Sequence, residues 1–100
     1  MKIIATPPLR QFSLKHPDGH TAINAWETAA KLAKWQTPTD VKAQFSSASF
    51  VANNRVIFNI GGNKYRLIVA IAYRIGVVYI KFIGTHTEYN VIDAATVEME

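Results

Sequence analysis

Two stretches of the sequence carry side chains able to do chemistry. In Gly84-Thr85-His86-Thr87-Glu88-Tyr89, an imidazole, a carboxylate and a phenol stand close together along the chain. An imidazole exchanges protons near neutral pH, and a phenol can serve as its proton-transfer partner. Upstream, Arg66 stands between Tyr65 and Leu67 in an otherwise apolar run. A guanidinium in that setting needs an anionic partner. The sequence around it supplies none: no Asp or Glu occurs between Asp40 and Glu88, whereas Lys42, Arg55, Lys64, Arg66, Arg74 and Lys81 all do. Cations without neighbouring acids point to a polyanion. Combined with proton-transfer groups, they point to a phosphate that is gripped while protons move beside it.

These residues need a scaffold, and the pattern predicts one. Thr6-Pro7-Pro8 opens a short helix with Leu9, Phe12 and Leu14 as its apolar side, and His16-Pro17-Asp18-Gly19 ends it. Ile23, Trp26, Ala30 and Ala33 recur at helical spacing and predict a second helix from about Thr21 to Trp35. Thr37-Pro38-Thr39-Asp40 is a capping box opening a third helix toward Phe45. From Ser49 the period changes to two. Asn53-Asn54 marks a tight hairpin between Phe50-Val51 and Arg55–Phe58, and Gly61-Gly62-Asn63 a second turn. Lys64 to Tyr73 alternates cleanly, with Tyr65, Leu67, Val69, Ile71 and Tyr73 on one face. Val77 to Ile83 follows after Arg74-Ile75-Gly76, with Val78, Ile80 and Phe82 opposing Val77, Tyr79, Lys81 and Ile83. The expected fold is α+β: N-terminal helices packed on one face of a small antiparallel sheet, a short helical turn at the C-terminus, and a single domain over residues 1–100. The other sheet face is then the cationic one. Alternation places Arg66 with Lys64, Lys81 with Tyr79, and Asn59 with Arg55.

Composition removes whole classes of function. The chain has 100 residues, 11 Lys and Arg against 7 Asp and Glu, a net charge of +4 and 49% hydrophobic residues. That is enough for one modest core. Without cysteine there are no disulfides, zinc ribbons or thiol chemistry. His16, His20 and His86 show no metal-ligand spacing. The longest apolar run, Leu67 to Tyr73, is far short of the roughly 20 residues that cross a bilayer. Prolines at 7 and 8 interrupt the N-terminus before a signal-peptide core forms, so a cytoplasmic chain is expected. Simpler roles exist for several of these residues. Arg55, Lys64 and Arg74 lie at strand ends or turns, where charges protect sheet edges, and Trp26 and Trp35 suit a core.

The segments Phe58-Asn59-Ile60-Gly61-Gly62-Asn63-Lys64-Tyr65-Arg66-Leu67-Ile68 and Tyr79-Ile80-Lys81-Phe82-Ile83-Gly84-Thr85-His86-Thr87-Glu88-Tyr89 resemble the HigB family of bacterial toxins, within the RelE/ParE superfamily. The similarity extends to His16-Pro17-Asp18, Trp26, Trp35-x-Thr37-Pro38-x-Asp40-Val41-Lys42 and Asn54-Arg55-Val56. It implies an mRNA interferase that acts mainly on translating ribosomes. It also implies neutralisation by a HigA-type helix-turn-helix antitoxin, with operator DNA bound only through the toxin–antitoxin complex. Carried over residue by residue, Arg66 matches the strand arginine that contacts the scissile phosphate. His86 lies where these toxins place a catalytic His or Arg, and Tyr89 near a C-terminal tyrosine used for proton transfer. Arg66, His86 and Tyr89 are thus the expected catalytic residues, and Lys64, Lys81, Arg55 and Asn59 the expected RNA-binding ones, with no metal or other cofactor. The sequence departs from better-studied relatives in carrying Ile57 and Asn59 where they carry lysines on the strand before Arg66. Two rival readings are a non-cleaving toxin of the ParE type and a passive nucleic-acid-binding module.

Overall fold

The first helix forms where proline tolerates the opening turn, and its residues set how the molecule layers. In this computed structural model, which describes residues 1–99, α1 spans Pro7–Lys15 and buries Pro8, Leu9 and Phe12. Glu100, the last residue of the expected domain, lies outside the described residues. Leu14, expected on the same side as Leu9, is 84% exposed. Five residues on is well over a turn from Leu9, so the two do not share a helix face. A short 3-10 turn, Pro17–Gly19, leads into α2, His20–Leu32, which buries Ile23, Trp26 and Ala30 at helical spacing. Glu27 is buried on the same helix, flanked by Arg10 at 3.8 Å and Lys31 at 3.3 Å.

The second helix ends three residues before the expected Trp35, because Ala33 turns extended. That turn swings Trp35 into the core, 6.2 Å from Phe58 and 6.1 Å from Phe45 by ring centroid, with its indole N–H donating to Gln44 at 2.9 Å. Helix α3, Pro38–Gln44, starts at the expected capping box. Thr37 Oγ1 accepts from Asp40 N, and Asp40 accepts in return from Thr37 N.

The strands are β1 (Lys2–Ile4), β2 (Ser49–Val51), β3 (Arg55–Ile60), β4 (Tyr65–Ala72) and β5 (Val77–Thr85), ordered β1-β5-β4-β3-β2. The four later strands form the expected antiparallel meander. Strand β1 was not expected; it pairs parallel to β5, with Lys2 opposite Val77 and Ile4 opposite Tyr79. Three residues are too few to display a period, and such a strand exists only because β5 offers it an edge. The Met1 ammonium donates to the carbonyls of Ala30, Lys31 and Ala33, which holds β1 beside the end of α2. Asn53 and Asn54 both take positive φ, 67° and 58°, as the tight hairpin requires.

The main core lies between helices and sheet. Leu9, Phe12, Ile23, Trp26, Ala30 and Val41 from the helices meet Phe58, Leu67, Val69, Ile71, Val78, Ile80 and Ile83 from the strands. Each Val, Leu, Ile or Phe side chain among them, fully buried, is worth about 1.5–3 kcal/mol of transfer free energy. Phe58 sits at the aromatic centre, 5.4 Å from Trp26 and 5.1 Å from Phe45.

Strict alternation fails once, in β5. Val69 pairs with Ile80 but Ile68 pairs with Phe82, leaving Lys81 as an extra residue in the ladder. This bulge turns Phe82 onto the face away from the helices and Ile83 into the helix-side core, the reverse of their expected places. A second apolar cluster results. Ile57, Ile68 and Phe82 are covered by Val51, Tyr89, Ile92, Ala94 and Val97, so the C-terminal segment lies across the middle of the face expected to be cationic.

Candidate active site at the end of the sheet

One row of the helix-free face runs Asn59–Arg66–Gly84 across β3, β4 and β5. It lies at the end of β5 from which α4, His86–Tyr89, departs. The last helix starts at a second capping box. Thr85 Oγ1 accepts from Glu88 N, and the Glu88 carboxylate accepts from Thr85 N at 2.8 Å. That backbone bond, together with Thr85's hydroxyl and the positive charges of Lys15 and His16, holds the Glu88 carboxyl below the usual range. Glu88 is therefore occupied as a cap rather than as a proton donor.

Capping aims the rest of the short helix. His86 N donates to Lys64 O at 3.1 Å, which ties the imidazole to the turn before β4. Asn90, one turn on, sets its amide nitrogen 3.2 Å from His86 Nδ1. With that amide donating to Nδ1, the neutral ring carries its proton on Nε2. The rings of His86 and Tyr89 stand 6.5 Å apart. The Arg66 guanidinium lies 5.8 Å from the Tyr89 ring centroid, and its Nη1 donates to the carbonyls of Asn63 and Tyr65, each at 3.2 Å. Among the described residues no carboxylate pairs with Arg66. Arg66, His86 and Tyr89, from β4 and α4, are thus brought into one group, with Asn59 directly across the ladder from Arg66.

The four expected RNA-binding residues are placed differently from one another. Asn59 adjoins Arg66. Lys64 turns toward Asp18 at 3.4 Å, where the Tyr65 hydroxyl also donates at 2.7 Å to both carboxylate oxygens. The Tyr65 bond, and then Lys64, lower the Asp18 carboxyl, while the same carboxylate raises the Tyr65 phenol. Lys81, the bulged residue, lies 5.8 Å from the Tyr79 ring centroid and 2.9 Å from Glu98. Arg55 is buried, donating to the carbonyls of Ala94 and Val97 and to Glu98 at 2.6 Å.

The acid-free sequence is therefore not acid-free in space. Glu98 reaches back to two of its cations and Asp18 to a third. Hydrogen bonds from Lys81 first, then from Arg55, lower the Glu98 carboxyl. Sequence reasoning missed three residues here: Asn90, Glu98 and the capping role of Glu88. The Thr-x-x-Glu spacing carries the signal for the cap. The i, i+4 relation of His86 and Asn90 is a weaker signal, and nothing local points to Glu98.

No group of three or more His, Cys, Asp or Glu among the described residues could hold a metal ion, and no helix there is long and apolar enough to cross a membrane.

Fold and site together define a class: a small α+β protein whose helices cover one sheet face and whose other face ends in an arginine, an imidazole and a phenol. More particularly, the chain belongs to the HigB toxin family, described as the RelE-like toxic component of a toxin-antitoxin system, whose sequence profile matches residues 19–92. It is 26% identical over 96 residues to the mRNA interferase toxin HigB of Escherichia coli strain K12, covering 94% of this chain and 92% of the relative. The mRNA interferase HigB of Shigella flexneri matches with the same identity and coverage. That of Escherichia coli O6:H1 is 26% identical over 92 residues, covering 90% and 89%.

Proposed function

We propose that this chain is an mRNA interferase that cuts RNA on the translating ribosome without a metal, through attack of a 2′-hydroxyl on the adjacent phosphate. The observation that carries the proposal is the convergence of Arg66, His86 and Tyr89, the arginine 5.8 Å from the tyrosine ring and the two rings 6.5 Å apart. RNA supplies its own nucleophile, so the protein has two tasks. It must neutralise charge on the phosphate, and it must move two protons.

Arg66 performs the first, because one edge of its guanidinium is held by backbone carbonyls and the remainder is free of carboxylates among the described residues. Lys81 assists once Glu98 yields it. His86 and Tyr89 divide the second task. One takes the proton from the 2′-hydroxyl as its oxygen bonds to phosphorus; the other gives a proton to the departing 5′-oxygen. The products are a 2′,3′-cyclic phosphate and a 5′-hydroxyl, and both proton carriers return to their starting states when the cyclic phosphate opens or protons exchange with water. The names of the relatives support RNA as the substrate. Neutralisation by a HigA-type helix-turn-helix antitoxin, and operator binding through that complex alone, belong to the same proposal; the family description supports the antitoxin partner.

The test is expression without antitoxin, with transcript 5′ ends mapped. Native protein gives new ends within codons and growth arrest; His86→Ala gives neither while remaining folded and antitoxin-bound. A His86→Ala chain that stays fully toxic overturns the assignment. Gyrase-linked DNA breaks in place of RNA ends overturn the activity itself.

A further inference from the structure

Residues 93–99 lie on the helix-free face without joining the sheet. Among the described residues no backbone–backbone hydrogen bond links them to a strand. Their own turn closes on Asp93, whose carboxylate accepts from Ala95 N at 3.0 Å and whose carbonyl accepts from Thr96 N and Val97 N. Three side chains, from the β2–β3 hairpin and from β5, hold the segment down. The Asn53 amide donates to Ala95 O at 2.9 Å, the Arg55 guanidinium to the carbonyls of Ala94 and Val97 and to Glu98, and the Lys81 ammonium to Glu98 at 2.9 Å. Beneath the segment, Ala94 and Val97 pack on the Ile57, Ile68 and Phe82 cluster.

Glu98 matches its two cations in charge but not in detail. Its side chain is 60% exposed, and one carboxylate is shared between Arg55 and Lys81. It takes Arg55 Nη2 and leaves Arg55 Nε buried with no partner. A buried donor left unpaired costs free energy that a better ligand recovers. A phosphate is such a ligand, because two of its oxygens meet two N–H groups along one edge of a guanidinium. The position also suits a nucleic-acid strand. Arg55 shares its face of β3 with Ile57 and Asn59, and four residues put it about 13 Å from the Asn59–Arg66 row, roughly the length of four stacked nucleotides. Phe82 lies in the row between them, opposite Ile68 and beyond it Ile57, and once uncovered its ring can stack a base.

From this placement we infer that residues 93–99 are an autoinhibitory strap: Glu98 occupies the place of an RNA phosphate on Arg55 and Lys81, and RNA must lift the segment to bind along the face that leads from Arg66. The competition rests on the reading that this face takes RNA. While the strap is down the groove is closed, so the apparent affinity falls with the fraction of molecules in which it is up.

The experiment compares the native chain with Glu98→Gln and Asn53→Gly, with circular dichroism checking the fold. Glu98→Gln removes the charge held by the two cations. Asn53→Gly removes the amide bond to Ala95, keeps the positive φ that glycine tolerates, and changes no charge. The probe is a labelled 2′-O-methyl RNA of about 12 nucleotides, long enough to pass both groups of cations and immune to 2′-hydroxyl attack, titrated by fluorescence anisotropy. Glu98→Gln should bind it about threefold to tenfold more tightly, the range that two partly exposed ion pairs allow. Asn53→Gly should bind it about twofold to fivefold more tightly, for the loss of one hydrogen bond. In the native chain, hydrogen exchange over residues 93–99 should quicken when RNA binds, because bound RNA holds the strap off. Equal affinities in all three proteins overturn the inference, as does exchange that is unchanged or slower with RNA bound. Tightening by Glu98→Gln alone marks an effect of net charge and overturns it too. These results leave RNA binding standing, whereas no binding by any of the three proteins overturns the RNA reading along with the strap.

Discussion

Gly84 is the residue through which stability and site geometry are most tightly joined, and replacing it by alanine tests both. Its φ lies outside the left-handed region, so the constraint is space and not torsion. A Cβ there would stand 2.5 Å from Phe82 Cζ, 2.9 Å from Phe82 Cε2 and 3.1 Å from Glu88 Oε1. Ordinary contact begins near 3.5 Å, so the ring must retreat by about 1 Å. It has little room, since Phe82 is packed with Ile57 and Ile68 under the Ile92, Ala94 and Val97 cover. Overpacking of this kind costs about 1–3 kcal/mol. For a domain of this size each kcal/mol lowers the melting temperature by about 4–8 °C, so Gly84→Ala should melt about 4–24 °C lower. The contact with Glu88 adds a local effect. Disturbing that carboxylate weakens the cap of α4, so RNA cleavage should fall at temperatures where the variant is still fully folded. The assay is calorimetry with a double-mutant cycle. In a Phe82→Leu background the cost of Gly84→Ala should shrink by about 1 kcal/mol or more, because the clashing ring is gone. A Gly84→Ala protein melting within about 1 °C of native, or a cost unchanged in the Phe82→Leu background, refutes the reasoning.

Phe58→Ala should cost about 3–5 kcal/mol by denaturant titration, a large part of the stability such a domain has, because Phe58 fills the centre of the main core. The Glu98 carboxyl titrates below its ordinary 4.5 because Lys81 and Arg55 hydrogen-bond to it. Its depressed folded value means that its contribution is present above about 4.5 and is lost as pH falls through the lower value. Glu98→Gln should flatten that acid limb in a circular-dichroism titration, and should tighten RNA binding at neutral pH by releasing Lys81. Arg66→Ala should reduce single-turnover cleavage by about 10²–10³ with an unchanged melting curve, as expected for losing one preorganised charge partner of a transition state. Asn90→Ala should lower single-turnover cleavage with an unchanged melting curve, because His86 loses the amide that fixes its tautomer and ring orientation; an unchanged rate would contradict that role.

How much of this was legible in the sequence follows from the range of the forces involved. The helices read well because caps and periodicity are local. The Thr37–Asp40 box is where α3 begins, and the Asn53-Asn54 pair is where the hairpin turns. The boundary that failed, α2 ending at Leu32 and not Trp35, was set by Trp35 finding Phe58 and Phe45 in the core, a tertiary preference overriding a helical pattern. Strand β1 was illegible because its stability comes from β5, more than seventy residues away. The faces of β4 were readable from alternation. Those of β5 were readable only up to Lys81, since a bulge inserts one residue without any local mark in Ile80-Lys81-Phe82. The group Arg66–His86–Tyr89 could be assembled from sequence because two of its members share one short helix and the third lies on the adjacent strand. The cationic face was legible only as charge. That Glu98 would return to hold Arg55 and Lys81 depends on the path of the tail, which Ile92, Ala94 and Val97 fix by packing on Ile57, Ile68 and Phe82.

The most direct measurement of the central claim is the chemistry of the RNA ends made by purified protein with programmed ribosomes. Native protein should produce 2′,3′-cyclic phosphate and 5′-hydroxyl termini within codons, in the presence of a chelator as well as without it, and both Arg66→Ala and His86→Ala should lower their yield by on the order of a hundredfold or more. Termini bearing 5′-phosphates, cleavage abolished by the chelator, or undiminished cleavage by both variants would contradict it.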